Sequence, residues 1–325
     1  MRTVRMPAAD TGNVRLWLSR PAVRRTLPVL VSLAAFAYLF SIVDLSALGT
    51  ALHDVPPQAW LGAVALCSAS LSGGVVRWWL LFLAFGAQNQ PRLRVLARHY
   101  ARGFFYNTYL PGGLAGDVVR GLATQRAFAP GSAGGLATVV VERVIGLSVL
   151  LGLVAVAALL HPRLGLAHLQ ARALWVFALG LALVLGIASL GRLAPVLPFA
   201  WLRSVFARLP VPTAYTPLVL SWLVSLVCQI APALAGHVLL SSIHAPPSIF
   251  DSLAIVPVAG ATAFFPFSVG GAGIRETVFV QLYSQVGVAA QASLAAALGM
   301  WATQAFIAGL CGLYMLFEAR ATEAV

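Results

Sequence analysis

Long apolar runs separated by short polar turns fill most of this chain. Six runs are long enough to cross a membrane as helices: 27–43, 58–85, 134–160, 172–191, 214–241 and 288–317. A crossing takes about 20 apolar residues. Two more apolar stretches, 96–125 and 250–284, are broken near their middles by glycine and proline. The first break reads YNTYLPGGLAGDVVRG (106–121) and the second reads FFPFSVGGAGIRET (264–277). Proline lacks an amide proton and biases the preceding residue away from helix, so a helix ends at each break. The halves that remain are too short to cross alone. The pattern predicts an all-α integral membrane protein with about six spanning helices plus two re-entrant broken-helix hairpins.

Charge orients this arrangement. With the N-terminus inside, the loop 44–57 lies outside and carries Asp44 and Asp54 but no arginine. The second span returns to Arg92, Arg94, Arg98 and Arg102. Arg102 and Arg126 flank the first broken stretch, so both of its ends belong inside, as a re-entrant hairpin requires. The second broken stretch starts and ends outside. On this count sixteen arginines lie inside and three outside (Arg163, Arg172, Arg275), with Arg77 and Arg143 within helices. That excess predicts cytoplasmic N- and C-termini in the cell's inner membrane. Residues 1–26 then form an arginine-rich cytoplasmic segment, 27–318 the membrane domain and 319–325 a cytoplasmic tail. The order helix, helix, broken hairpin, helix occurs twice, over 27–160 and 172–317. Three spans per unit start the second unit from the opposite face. The expectation is an inverted repeat whose hairpins meet near the midplane.

Composition narrows the partners. The chain is 60% hydrophobic and 9% charged, against about 25% charged in ordinary soluble domains. The net charge is +12, and all 21 basic residues are arginine. No basic-aromatic module accompanies that charge, so nucleic acid is not the expected partner. The arginines read mostly as anchors facing anionic lipid. Cys67, Cys228 and Cys311 lie in apolar runs without CxxC spacing, and the six histidines are scattered. Neither a disulfide framework, a metal site nor a cofactor is expected. No GxSxG, HExxH, P-loop or dinucleotide fingerprint is present, so catalysis is not expected either.

The candidate chemistry sits at the breaks. Gly112 and Gly113 allow a sharp reversal after Pro111, and a new helix starts near Leu114. Its first-turn amides face the membrane interior, where such an end attracts an anion. Gly116 lets a headgroup approach the backbone. Asp117 and Arg120 share one helical face, either as a pair or as separate anion and cation contacts. Asn107 caps the turn or contacts a headgroup. Pro266, Gly270, Gly271, Gly273, Arg275 and Glu276 repeat this chemistry in the second half. Charge at bilayer depth is costly and marks a functional site by default. Glu142 and Arg143 point about 100° apart on the third span. One reading turns Glu142 toward a hairpin arginine while Arg143 meets a headgroup; the other lets Arg143 snorkel to the inner surface. Arg77, followed by Trp78 and Trp79, reads as an interfacial anchor. Asp251 reads as a helix cap, His237 as a packed histidine, and His99 and Tyr100 as weak candidates near the inner interface.

Three segments carry a family resemblance. NTYLPGGLAGDVVRG, ERVIG (142–146) and GGAGIRE (270–276) resemble motifs of the lysylphosphatidylglycerol synthase transmembrane-region family, also called the flippase-like domain family. The resemblance covers about 25–318. That family includes the membrane half of the multiple peptide resistance factor, which flips aminoacylated phosphatidylglycerol made by a soluble synthase domain. Here the chain stops at Val325 without such a domain, so lysyl transfer is not expected. The resemblance implies a lipid flippase with a headgroup site at Asn107, Gly112, Gly113, Asp117, Arg120, Glu142, Arg143, Arg275 and Glu276, to which the second break adds Gly270 and Gly271. The second motif inserts Phe267, Ser268 and Val269 between proline and the Gly-Gly pair, so the two hairpins are only approximate equivalents. The implied cargo is a phospholipid or a polyprenyl-phosphate-linked lipid with an anionic or zwitterionic headgroup. The implied partner is a separate lipid-synthesising enzyme, and any drive comes from a gradient or from lipid equilibration. The alternative is an integral membrane enzyme or subunit acting on a lipid-linked sugar or lipid phosphate. In the flippase reading, Arg120 and Arg275 approach each other across the midplane.

Overall fold

The computed structural model describes residues 21–110, 114–160, 207–243, 247–262 and 272–323, together with short pieces between 175 and 203. The predicted span 172–191 falls largely outside the described residues. So do Pro111, Gly112, Gly113, Pro266, Gly270 and Gly271. The described residues contain helices and no strand. We number the helices α1 (Pro21–Ile42), α2 (Leu45–His53), α3 (Pro57–Ala84), α4 (Leu93–Tyr109), α5 (Ala115–Ala123), α6 (Gly134–Leu160), α7 (Tyr215–Ser241), α8 (Ile249–Ala261), α9 (Ile274–Gln285) and α10 (Ala290–Glu323).

Four of these carry segments long and apolar enough to cross a membrane: Pro57–Ala84, Gly134–Val156, Tyr215–Ser241 and Ala290–Phe317. The bent pair Leu33–Ile42 and Leu45–His53 makes a fifth if it counts as one span. The pair, bent by 93°, corrects one expectation: the stretch 44–57, expected as a loop, is mostly helix. The local reason is Asp44. Its Oδ1 accepts from Ser46 Oγ at 2.6 Å and from the Ser46 amide at 2.8 Å, capping α2. These hydrogen bonds, the hydroxyl's foremost, hold the exposed Asp44 carboxyl below the usual carboxylate range.

Helices α3 and α7 form the central antiparallel pair. Gly62 near the start of α3 meets Val238 near the end of α7. Towards the other end, Gly73 meets Cys228, and a Cβ there would sit 3.0 Å from the Cys228 sulfur. Small residues let the two backbones close, as membrane packing favours. An apolar cluster with Ala63, Leu239, Ile255 and Tyr283 fills one end of the pair. A second, with Trp78, Phe82, Leu96 and Ile145, fills the other. Polar and charged side chains occupy the space between.

The two broken stretches fold as helix pairs, α4 with α5 and α8 with α9. In the first pair the backbones touch: a Cβ on Gly116 would lie 2.0 Å from the Gly103 carbonyl oxygen. The closeness expected of a headgroup at Gly116 is thus taken up by α4 itself. Each pair also packs across the molecule. Helix α6 lies against α8, α10 against α4, α5 against α6 and α9 against α10. Exchanging α3–α6 for α7–α10 leaves this set of neighbours unchanged.

Candidate functional site

Eight helices, α3 to α10, line one cavity of about 450 Å³. Its wall carries Arg77, Asp117, Arg120, Glu142, Arg143 and Arg275. Of the sequence-predicted residues, Asn107 also lines it. Arg120 from the first hairpin and Arg275 from the second therefore border one space.

The first hairpin builds most of the charge. Asn107, on the last turn of α4, accepts the Gly116 amide through Oδ1 at 2.9 Å. It donates through Nδ2 to Asp117 Oδ1 at 3.1 Å. The start of α5 is thus capped by a side chain of the preceding helix, because Leu114 at the cap position offers no acceptor. The Asp117 amide turns to the Leu114 carbonyl at 3.1 Å. These two first-turn amides are therefore spoken for, contrary to the expected open anion site. The negative group at this helix end is Asp117 itself, which suits the positive end of the dipole.

Asp117 and Glu142 then gather arginines. Asp117 Oδ1 receives Arg120 Nε at 3.0 Å, while Arg143 closes on Oδ2. Glu142 Oε1 accepts Arg77 Nη2 at 2.7 Å and the Tyr100 hydroxyl at 3.1 Å. Arg120 Nη1 lies 2.6 Å from Glu142 Oε2 as an ion pair, off the line of a hydrogen bond. Glu142 is 1% exposed. The predicted pairing of Glu142 with a hairpin arginine is what the geometry holds. Arg143, about 100° around α6 from Glu142, reaches the same hairpin through Asp117.

Aromatic rings complete the cluster. The Arg120 guanidinium lies 4.8 Å from the Trp78 ring centre and 4.7 Å from that of Tyr100. Trp78 is fully buried and reaches Thr138 Oγ1 with its indole N–H at 3.3 Å. The Tyr100 hydroxyl fits because residue 74 is glycine; a Cβ there would come within 2.2 Å of it. Arg77 overturns its reading as an interfacial anchor. Besides Glu142 it donates to Ser225 Oγ at 3.0 Å, inside the protein. An Arg-Trp-Trp run looks the same at an interface and in a core. The available signal was depth: seven helical residues follow Arg77, about 10 Å of rise.

The second hairpin is simpler. Glu276 Oε2 accepts the Gly273 amide at 2.7 Å, and Oε1 holds Arg275 Nη2 at 2.6 Å. Gly273 has φ +83°, a conformation that glycine takes without steric cost. His237 lies off the cavity wall, its Nδ1 3.1 Å from Ser252 Oγ, as a packed histidine. Ser248 and Asp251 cap α8 reciprocally. Among the described residues no group of three or more His, Cys, Asp or Glu is placed to hold a metal.

A family model described as lysylphosphatidylglycerol synthase TM region matches residues 25–312. No curated protein matches the chain.

Proposed function

The chain belongs to the lysylphosphatidylglycerol synthase transmembrane-region family, and from that premise we propose that this multi-pass membrane protein is a lipid flippase. It moves a phospholipid or a polyprenyl-phosphate-linked lipid between leaflets. The headgroup sits in the cavity between the two hairpins while the acyl chains stay in lipid. The observation that carries this reading is the shared wall: Arg120 and Arg275 lie 155 positions apart in sequence and line one cavity. Guanidinium groups match phosphate oxygens in charge and shape. With no cargo bound, Asp117, Glu142 and Glu276 hold the arginines; an arriving phosphate takes over some of those contacts.

The unchanged neighbour set on exchanging α3–α6 for α7–α10 supports an inverted repeat. In that arrangement the hairpins enter from opposite leaflets of the inner membrane, with both termini cytoplasmic. A separate enzyme supplies the lipid.

Arg143 and Arg275 are the natural variants to test, since their side chains are 38% and 23% exposed. Purified protein in phosphatidylcholine vesicles carries trace tail-labelled phosphatidylglycerol. Arg143→Gln and Arg275→Gln should each slow transbilayer movement about tenfold, the loss of one charge-assisted contact. Unchanged movement in both, at equal folding, sinks the site. A new lipid product made by the pure protein would favour the enzyme reading instead.

A further inference from the structure

The cavity wall has a countable charge. Arg77, Arg120, Arg143 and Arg275 stand on it, with Asp117 and Glu142. Glu276 stands directly behind Arg275, 2.6 Å away. Among the described residues, four guanidiniums against three carboxylates leave one positive charge. Arginine does not lose its proton in a protein, and every carboxylate here is in contact with a guanidinium. The stretches 111–113 and 263–271, which link the helices of each pair in the sequence, contain no ionisable residue that would alter the count. The rest of the wall is neutral, with Gln229 and Gln304 beside apolar side chains such as Phe104, Phe279 and Met300.

We infer that this site selects a headgroup with one negative charge, a phosphodiester monoanion, over a diphosphate. The inference rests on the flippase reading above and narrows its cargo. Charge left unmatched in a water-poor interior is costly, so the favoured cargo brings the total to zero. A monoanion does so. A diphosphate-linked lipid leaves the filled cavity negative.

The geometry agrees. Arg120 is closed on both ring faces, by Trp78 and Tyr100, and along its edges, by Asp117 and Glu142. Arg77 gives its two terminal nitrogens to Glu142 and Ser225. The partly exposed arginine side chains on the wall are those of Arg143 and Arg275, one from each hairpin side of the cavity. Two such groups suit one phosphate. The volume, about 450 Å³, is that of a small-molecule site. It fits a headgroup and leaves the tails outside.

The test compares two lipids with the same polyprenyl tail and the same hexose, one joined by a single phosphate and one by a diphosphate. Both are placed in vesicles of phosphatidylcholine containing the purified full chain. The single-phosphate lipid should cross at least about tenfold faster, equivalent to one decade in a rate ratio. Gln304→Arg adds a positive charge to the wall outside the ion-pair network, and should narrow or reverse that ratio. Gln304→Met, a neutral change of similar size, should leave it alone. Equal rates for the two lipids in the unaltered protein overturn the inference and spare the flippase reading. So does a ratio that Gln304→Arg and Gln304→Met leave equally unchanged. If folded protein moves neither these lipids nor labelled phosphatidylglycerol, the flippase reading falls and the inference with it. Glycerophosphoglycerol, a headgroup without tails, separates a soluble cargo from a lipid one. Its uptake in preference to the lipids would overturn the lipid assignment.

Discussion

Arg120 is engaged on every side. Trp78 of α3 and Tyr100 of α4 cover its faces, and Glu142 of α6 and Asp117 of its own helix take its edge. Four helices meet at one guanidinium. Removing one partner of a buried pair is costlier than removing a hydroxyl, because it leaves charge unmatched. Glu142→Gln should therefore cost about 3–5 kcal/mol. Tyr100→Phe, which deletes one hydrogen bond to the same carboxylate, should cost about 1 kcal/mol. Unfolding midpoints in detergent decide; equal losses would contradict this ordering. At this scale the sequence was half legible. Glu142 could be assigned to a hairpin arginine because few intramembrane cations compete for it. Arg77 and Trp78 could not be assigned to the same cluster, because their partners are distant in sequence, Glu142 for Arg77 and Thr138 and Arg120 for Trp78, and no local pattern encodes those contacts.

Helix ends were more legible than helix interiors. The expected 58–85 and 214–241 appear as Pro57–Ala84 and Tyr215–Ser241, since apolar length and proline punctuation set them. Helix α2 was missed because it sits between spans and its signal is a single cap at Asp44. Prolines at the breaks were informative, yet Pro232 inside α7 has its own consequence. It withdraws the amide that the Cys228 carbonyl would accept. Ser70 of α3 fills the gap, its hydroxyl donating to Cys228 O at 2.8 Å. The kink-prone point of α7 is thus tied to α3 beside the cavity. Ser70→Ala should cost about 1–3 kcal/mol by orphaning that carbonyl. In a Pro232→Ala background, where α7 can supply its own amide, the same change should cost much less. A double-mutant cycle in detergent measures the difference, and strict additivity would refute the link.

At the scale of the whole molecule, the neighbours among α3–α10 survive exchange of α3–α6 for α7–α10 although the chemistry does not. The first half supplies three arginines and two acids to the wall, the second one arginine. The repeated order of elements was visible in the sequence; the unequal charge of the two hairpins' surroundings was not, because the partners of the hairpin charges come from α3 and α6. Orientation is checked with single cysteines in a chain whose three native cysteines are replaced by alanine. An impermeant maleimide should label Asp54→Cys on intact cells and Arg208→Cys only after lysis. The reverse pattern would invert the topology and the leaflet assigned to each hairpin.

The junction at Arg120 has a mechanical meaning. A hairpin riveted by two ion pairs to α6, and clamped by rings from α3 and α4, behaves as a stator. Sliding α5 past α6 would strip several charge contacts at once. The second hairpin is fastened more lightly among the described residues: its Arg275–Glu276 pair lies within α9, between adjacent residues. In the flippase reading proposed above, motion that opens the cavity falls to the α8–α9 side, the rotor of a machine whose two hairpins divide the labour.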